Sequence, residues 1–391
     1  MLEQCQATVL ITDSANLPVA EEFAALSVIN IDTMDDRYSS ANPGLALPLD
    51  CCVEVGYTSG STGLPKGIAR NQRGVLHNVM RLTNSFRIGI HDRMIMSWPN
   101  LVGHLYALLN GAPTYPVSLG REEPQELADW LIEERVTIFR SAVSAFRGFA
   151  NGLSGKEEFP DLRLIALFGE PVYQTEVALY RKYFSDRCLL VGSLGCSEFG
   201  DYAYFFLDKE TALTSGTVPG GYPIEGAEIQ LLDDSGNLLG VDQIGEIAVR
   251  SRFTAMGYWR RLDLTQAAFL PDPAGAEERI YRTGDLGSQD ADGCLFHHGR
   301  KDFQIKIRGY RVEIAEVEAA ILEWDWIKEA VVVGGKDALD DNCLVAYFVP
   351  VVEPVPNVTE LRRLLAKSFQ TIWCLPISSR SMLYPLPQRG R

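Results

Sequence analysis

The chain has 391 residues, 46% of them hydrophobic, and a formal charge of −15 at pH 7, enough apolar material for two or three packed units. The acidic balance argues against a nucleic-acid groove or an anionic membrane surface as partner. No apolar run has the length of a membrane span, and the opening MLEQCQATVLITDS lacks the basic start and small-residue cleavage site of a secretory leader.

The predicted elements, taken in chain order, alternate apolar runs with amphipathic stretches, the pattern of α/β layers. Val53–Tyr57 is a short apolar approach to a Ser/Gly-rich turn. Glu126–Glu134 and Glu176–Tyr183 have helical spacing, and Leu162–Phe168 and Cys188–Val191 read as buried strands. From about Gly221 the text changes to short strands and turns: Glu228–Asp233, a DSGN turn at Asp234, then Gly245–Arg250, with Asp290-Ala-Asp-Gly293 as hairpin punctuation. A boundary falls near Asp302. Beyond it Phe303–Ile307, Ala330–Val333 and Leu344–Pro350 read as strands, Ala315–Leu322 and Thr359–Ser368 as helices, a small α+β unit. Eight cysteines are scattered without a C-x-x-C pair or a histidine cluster. Structural zinc is therefore not expected, and free thiols in a reducing cytoplasm are.

The chemistry starts at Tyr57–Gly67 (YTSGSTGLPKG). Glycines let backbone N–H groups approach phosphate closely, and Thr58, Ser59, Ser61 and Thr62 add hydroxyl donors around Gly60 and Gly63. Lys66 supplies a point positive charge. The spacing is not the Walker pattern, because the lysine lacks the glycine before it and the Ser/Thr after it. SGSTG alone would equally fit a flexible loop; the eleven residues together are far more specific. They resemble the signature of the acyl-adenylate-forming (AMP-binding) superfamily: adenylation domains of nonribosomal peptide synthetases, acyl-CoA synthetases and luciferases.

Further motifs carry the resemblance in order along nearly the whole chain, most of all to amino-acid adenylation domains. Phe168-Gly169-Glu170 is similar to the family's Gly-Gly-Glu near adenine, and Leu194-Gly195-Cys196-Ser197-Glu198 to its Tyr-Gly-x-Thr-Glu. The resemblance makes Glu198 the Mg²⁺ carboxylate, places Gly195 and Ser197 at the nucleotide, and puts Leu194 where an aromatic usually stacks on adenine. Gly245–Thr265 resembles the GEL…GYW…T segment. Tyr281-Arg-Thr-Gly-Asp285 resembles the ribose-binding signature, and a carboxylate is the natural reader of a ribose diol, though an Asp in an ordinary Gly-Asp turn would look the same. In Gly299–Arg311 the resemblance implies that Arg300 supports the ribose, Asp302 is the hinge and Lys306 serves the thioester-forming half-reaction. The expected fold is that of adenylate-forming enzymes: a partial large region over 1–301, β-rich from about 221 to 300, and a small α+β domain over 303–391. The implied chemistry is ATP- and Mg²⁺-dependent activation of a carboxylic, expectedly amino, acid. The acyl group then passes to a carrier-protein phosphopantetheine arm or coenzyme A after the small domain rotates.

Three departures qualify that expectation. Met1-Leu-Glu-Gln resembles an internal helix of the fold, so much of the first subdomain is expected to be missing and an apolar interface uncovered. The aspartate that clamps an α-amino group falls, by counting back along Leu101–Ala112, on Trp98; Asp201 is a substitute, or the count is off by a residue or two. The end, Pro387-Gln-Arg-Gly-Arg391, lacks the family's closing Gly-Lys, and Arg is not equivalent to Lys at a tight site. Ser368–Pro376 (SFQTIWCLP), back-translated with chosen codons and read from the third base, gives Phe-Pro-Asp-Tyr-Met-Val-Pro-Ser. Tyr384–Arg391 at the same offset gives Ser-Leu-Thr-Pro-Thr-Gly-Lys. Both match family text, which suggests a frame shift from about Lys367, testable on the coding DNA. ATP binding is accordingly expected to be weak and adenylation slow or absent. The competing expectations are an acyl- or aryl-CoA ligase, which Trp98 favours, and a non-catalytic nucleotide-binding remnant.

Overall fold

A computed structural model describes residues 2–351, apart from 24–25, 35–38, 40, 59–64, 98–100, 118–122, 214–215, 276, 302–303, 308–309, 315–316, 319–320, 322–323, 325 and 337–341. The chain opens with α1 (Leu2–Cys5), β1 (Val9–Thr12), α2 (Leu17–Glu21) and β2 (Ser27–Asn30), β1 and β2 pairing in parallel. Val9, Ile11, Ile29 and Ile31 of this piece are exposed. An antiparallel hairpin follows: β3 (Cys52–Thr58) and β4 (Lys66–Asn71) in the register Thr58↔Lys66. The apolar approach Val53–Tyr57 lies inside β3, and residues 59–64 of the Ser/Gly-rich stretch lie outside the described residues.

Helix α3 (Gln72–Phe86) starts at Asn71, whose Oδ1 accepts the Gly74 N–H at 2.9 Å, the usual way an Asn satisfies an orphan donor of the first turn. Val75, Val79, Leu82 and Phe86, spaced by three and four, are buried along one face. The helix stops where Arg87 takes a left-handed φ of 50°.

The central sheet then forms in βα units: β5 (Met94–Met96), α4 (Leu101–Leu108), β6 (Thr114–Pro116), α5 (Pro124–Glu133), β7 (Ile138–Ala142), α6 (Val143–Asn151), β8 (Leu164–Phe168), α7 (Gln174–Tyr183) and β9 (Leu189–Cys196), followed by β10 (Gly200–Leu207) and β11 (Tyr222–Pro223). Its order is β11-β10-β9-β8-β7-β5-β6, parallel from β6 to β9 and antiparallel at β10 and β11. Strand alternation sorts the core onto two faces. Ile95, Phe139, Ile165 and Leu190 pack with Leu131, Phe146, Phe149 and Tyr180 from α5, α6 and α7. Met94, Ile138, Leu164 and Val191 pack with Val79, Leu82 and Phe86 of α3 and Tyr106 of α4. Each fully buried large apolar side chain contributes about 1.5–3 kcal/mol.

A second, five-stranded sheet carries β12 (Glu228–Leu232), β13 (Gly245–Ser251), β15 (Phe269–Pro271), β16 (Arg279–Gln289) and β17 (Leu295–Arg300). The pair β14 (Gly257–Tyr258) leaves it to extend the β3–β4 hairpin, and α8 (Leu262–Ala268) lies between. The expected Asp-rich turns are present: Asp233 Oδ1 accepts the Ser235 and Asn237 N–H groups, and Asp290 Oδ1 those of Asp292 and Cys294. Past residue 301 the described elements are hairpins β18 (Gln304–Ile307)–β19 (Tyr310–Glu313) and β20 (Ile327–Lys336)–β21 (Asn342–Pro350). Val312, Val317, Ile321, Ile327, Val332 and Leu344 give this part a core of its own. The helix predicted for Ala315–Leu322 is described only at Ile314, Val317, Glu318 and Ile321, which are helical; the one predicted for Thr359–Ser368 lies outside the described residues. The seven described cysteines are free thiols. No helix among the described residues is long and apolar enough to cross a membrane.

Candidate active site

The C-terminal ends of the parallel strands and the nearby edge of the second sheet enclose a cavity of about 420 Å³. Gly169, Glu170, Pro171 and Tyr173 follow β8, Ser193 and Leu194 belong to β9, and Gly220 leads into β11. Asp285, His297 and Arg300 come from β16 and β17, and Asn342 from β21. Ligands of open α/β sheets bind outside the carboxyl ends of the strands, which is where this cavity lies. The backbone had to be special to make it. Gly221 has φ +92°, and a Cβ there would lie 2.1 Å from the Tyr204 carbonyl oxygen, so only glycine lets the chain cross β10 beside the cavity.

Asp285 is the most constrained polar group of the wall. Its register partner is Arg300, whose Nη1 donates to Asp285 Oδ1 at 2.8 Å and to the Thr283 carbonyl at 3.1 Å. His297 Nε2 stands 3.7 Å from the same Oδ1, and the Tyr202 hydroxyl donates to Oδ2 at 3.4 Å. Burial, then the charge of Asp285, push the Tyr202 hydroxyl well above its ordinary range, so it stays a donor. The structure thus brings together Asp285 and Arg300, both singled out in the sequence, and adds His297 and Tyr202. The His297-His298 pair just before Gly299–Arg311 was a visible signal; Tyr202 had none beyond its nearness to Glu198.

Glu170 lines the cavity with its carboxylate anchored: Ser144 donates its N–H to Oε2 at 2.9 Å and its hydroxyl to Oε1 at 3.2 Å, at the start of α6. Gly195 is a close-approach glycine, since a Cβ would sit 2.7 Å from Asp201 Cα on the paired strand.

The hairpin residues meet Glu198 through Tyr258. Tyr258 pairs with Ile68 across β14–β4, and the Trp259 N–H donates to the Gly67 carbonyl. The Tyr258 hydroxyl donates to Glu198 Oε1 at 2.8 Å, and Lys66 Nζ lies 5.8 Å from the Tyr258 ring centroid. Arg70 of β4 fixes the other side, donating from Nε and Nη2 to the Ser197 carbonyl at 3.2 and 2.6 Å. Glu198 is 1% exposed and Lys66 9%. Thr58 Oγ1 is buried and has no hydrogen-bond partner among the described residues, a donor left over where the sequence calls for phosphate oxygens. Ser59, Gly60, Ser61, Thr62 and Gly63 lie outside the described residues, as do Trp98 and Asp302. Lys306 is in β18 opposite Arg311, its side chain outside the described set.

Asp201 is half of a buried ion pair: Arg140 Nη2 donates to its Oδ2 at 2.7 Å, and the Tyr204 hydroxyl to the same oxygen at 2.9 Å. The Arg140 guanidinium stands 5.3 Å from the Tyr106 ring centroid and 5.1 Å from that of Phe168. Arg140, a charged residue inside a buried strand, was missed in the sequence. No group of three or more His, Cys, Asp or Glu able to hold a metal ion occurs among the described residues. A Mg²⁺ bound through one carboxylate and substrate phosphates needs no such group.

Comparison with known proteins agrees with the geometry. The family model described as AMP-binding enzyme matches residues 1–259. Gramicidin S synthase 2 of Brevibacillus brevis is 28% identical over 401 residues, covering 100% of this chain and 9% of the synthase. A dimodular nonribosomal peptide synthase of Bacillus subtilis (strain 168) is 30% identical over 383 residues, covering 94% of this chain and 16% of its own length. The chain therefore spans a small part of the curated relatives it matches. Among solved structures, the amide bond synthetase McbA of Marinactinospora thermotolerans superposes with a TM-score of 0.82 at 24% identity, over 96% of this chain and 77% of that one. An artificially fused adenylation–PCP di-domain, NpsA-ThdA of Klebsiella oxytoca, gives 0.81 at 22%, over 97% and 75%. The fold is the adenylate-forming one, and the chain belongs to the AMP-binding enzyme family.

Proposed function

We propose that this chain activates a carboxylic acid with ATP as an acyl-adenylate and hands the acyl group to a thiol. The observation that carries the reading is the Asp285–Arg300 pair on the cavity wall; the Lys66–Tyr258–Glu198 chain from the β3–β4 hairpin supports it, Glu198 following β9, whose Leu194 lines the same cavity. A buried carboxylate held by Arg300 is built to accept both hydroxyls of a ribose. The Thr58 hydroxyl and Lys66 are the donors for phosphate oxygens.

The reaction joins two anions, a carboxylate and the α-phosphate, so positive charge and positioning supply the catalysis. Lys66 neutralises phosphate charge in a buried setting, where it is worth more than in water. Glu198, oriented by Tyr258, would hold Mg²⁺, which shields the triphosphate and the pyrophosphate leaving group. Carboxylate oxygen attacks the α-phosphorus, the bond to the β-phosphate oxygen breaks, and pyrophosphate leaves. The small C-terminal part, with Asp302 as hinge and Lys306 on its first hairpin, serves the second half, attack of a thiol on the mixed anhydride. The peptide-synthase relatives favour a carrier-protein phosphopantetheine arm as the acceptor. Coenzyme A is the second reading, favoured by Trp98 at the expected place of an amine clamp.

The test is pyrophosphate–ATP exchange across a panel of amino, aryl and alkyl acids. Acid-dependent exchange supports the reading. Binding of ATP–Mg²⁺ with no exchange for any acid would leave a nucleotide-binding module and refute it.

A further inference from the structure

Beyond Leu194 of the cavity wall, between α3, α4, β7 and β10, lies a buried polar cluster that the proposed nucleotide contacts do not use. Arg81 of α3 is 1% exposed. Its Nε donates to Asn78 Oδ1 at 2.9 Å, its Nη2 to the Phe199 carbonyl at 2.8 Å, and its guanidinium lies over the Phe199 ring at 4.2 Å. Its Nη1 is buried and has no hydrogen-bond partner among the described residues. Asn78 continues to the Tyr106 hydroxyl at 3.2 Å, Tyr106 stands beside Arg140, and Arg140 holds Asp201 together with Tyr204. Arg81 and Arg140 thus share one network, and the carboxylate that acts on both is Asp201.

Among the described residues the network therefore sets two guanidinium groups against one carboxylate. A buried cation with unmet N–H donors costs several kcal/mol in a low-dielectric setting, and that cost falls when an anion arrives. The place is also right for an acid substrate. Asp201 pairs with Gly195 across β9–β10, three residues beyond Glu198, and Phe168, which faces Arg140, directly precedes Gly169 and Glu170 of the cavity wall. An α-ammonium would have to compete for Asp201, whose Oδ2 already accepts from Arg140 Nη2 and the Tyr204 hydroxyl.

We infer that the acid activated here carries a second anionic group, a carboxylate at its far end, and no free ammonium at the near one. Arg81 Nη1 and the Arg140 guanidinium receive that far carboxylate, while the near carboxylate faces the nucleotide. The inference rests on the proposed function and names the substrate class of the same site.

The experiment titrates malonate, succinate and glutarate, against propionate, butyrate, pentanoate, alanine and aspartate, into the full chain by calorimetry, alone and with AMP. The titration is repeated on Arg81→Met and Arg81→Lys, with melting curves for each, and AMP and ATP–Mg²⁺ binding are measured separately. One dicarboxylate is expected to bind at least about ten-fold tighter than the monocarboxylate of equal length, the size of one charged hydrogen bond. Arg81→Met is expected to remove that preference and leave the monocarboxylates unchanged, and Arg81→Lys to restore part of it. Equal or tighter binding of the monocarboxylates or of alanine, or no binding of any acid, overturns the inference. So does an Arg81→Met variant that weakens every acid alike, because Arg81 is then a structural cation. If Arg81→Met does not fold, the unmodified chain and Arg81→Lys still decide through the acid preference. Loss of nucleotide binding would refute the proposed function instead, and the acid titration without AMP still reads the cluster on its own.

Discussion

Asp285→Asn keeps the shape of the side chain and removes its charge. In the native site Asp285 is 3% exposed, with Arg300 at 2.8 Å and His297 at 3.7 Å. Hydrogen bonds to a charged acceptor contribute about 1.5–3 kcal/mol, against about 0.5–1.5 for a neutral one. Two ribose hydroxyls therefore lose about 2–3 kcal/mol together, which is roughly 30- to 150-fold in Kd. Breaking a buried ion pair costs up to about 3–5 kcal/mol of stability. Here Arg300 also donates to the Thr283 carbonyl and borders the cavity, so about 1–3 kcal/mol is expected, and the variant folds. Calorimetry with ATP, AMP and tripolyphosphate separates the roles. ATP and AMP should weaken by the same factor, since they share the ribose, and tripolyphosphate should not change. A folded variant with unchanged AMP affinity, or one in which tripolyphosphate weakens as much as ATP, would refute the assignment of Asp285 to the ribose.

Tyr258→Phe removes the hydroxyl that donates to Glu198 at 2.8 Å; ATP binding should require several-fold more Mg²⁺ while AMP binding without metal stays the same, read by titrating Mg²⁺ at fixed nucleotide. Glu176 is fully buried, accepts from Arg147 Nε at 2.6 Å and from the Tyr173 N–H at 2.8 Å at the start of α7, so Glu176→Ala should cost about 3–5 kcal/mol in urea unfolding. His77 packs against Phe253 with ring centroids 3.5 Å apart. Burial, then the charge of Arg81, hold its pKa below the ordinary value, against the opposing Glu225 carbonyl. Its folded pKa lies below its unfolded one, so its contribution is fully present above about pH 6.5 and lost as pH falls toward the folded value. The melting temperature should drop between pH 7 and 5.5, and His77→Gln should flatten that drop; an equal slope in both proteins would contradict the assignment.

Much of the scaffold was legible because local pattern and tertiary packing agree. Leu164–Phe168 was read two residues long at its start, and Cys188–Val191 was read short. β9 runs on to Cys196 because Gly192–Cys196 pairs with β10, and pairing rather than composition sets its end. Helix α3 was overlooked although Asn71 caps it and Val75, Val79, Leu82 and Phe86 carry its spacing; polar residues between them diluted the signal. Asp285, Arg300, Glu198 and Lys66 could be singled out because each sits in a short motif, while the partners each one touches come from elsewhere in the chain. Tyr258 was visible only as part of a segment without a stated role, because its link to Glu198 spans 60 residues. Arg81 and Arg140 were invisible for the opposite reason: a guanidinium inside an apolar helix face or a buried strand looks like surface charge until distant partners arrive, Phe199 for Arg81 and Asp201 of β10 for Arg140. Asp201 was legible as a carboxylate near the site but not as one already paired with Arg140.

One site is proposed to bind ATP and to make it react with a carboxylate. Pyrophosphate–ATP exchange with the dicarboxylate that binds tightest, run on the native chain and on Asp285→Asn, tests it most directly. Exchange that depends on the acid, even if slow, and that falls at least about ten-fold in the variant at subsaturating ATP is the predicted result. Exchange absent from the native chain for every acid, although ATP–Mg²⁺ binds, would contradict it.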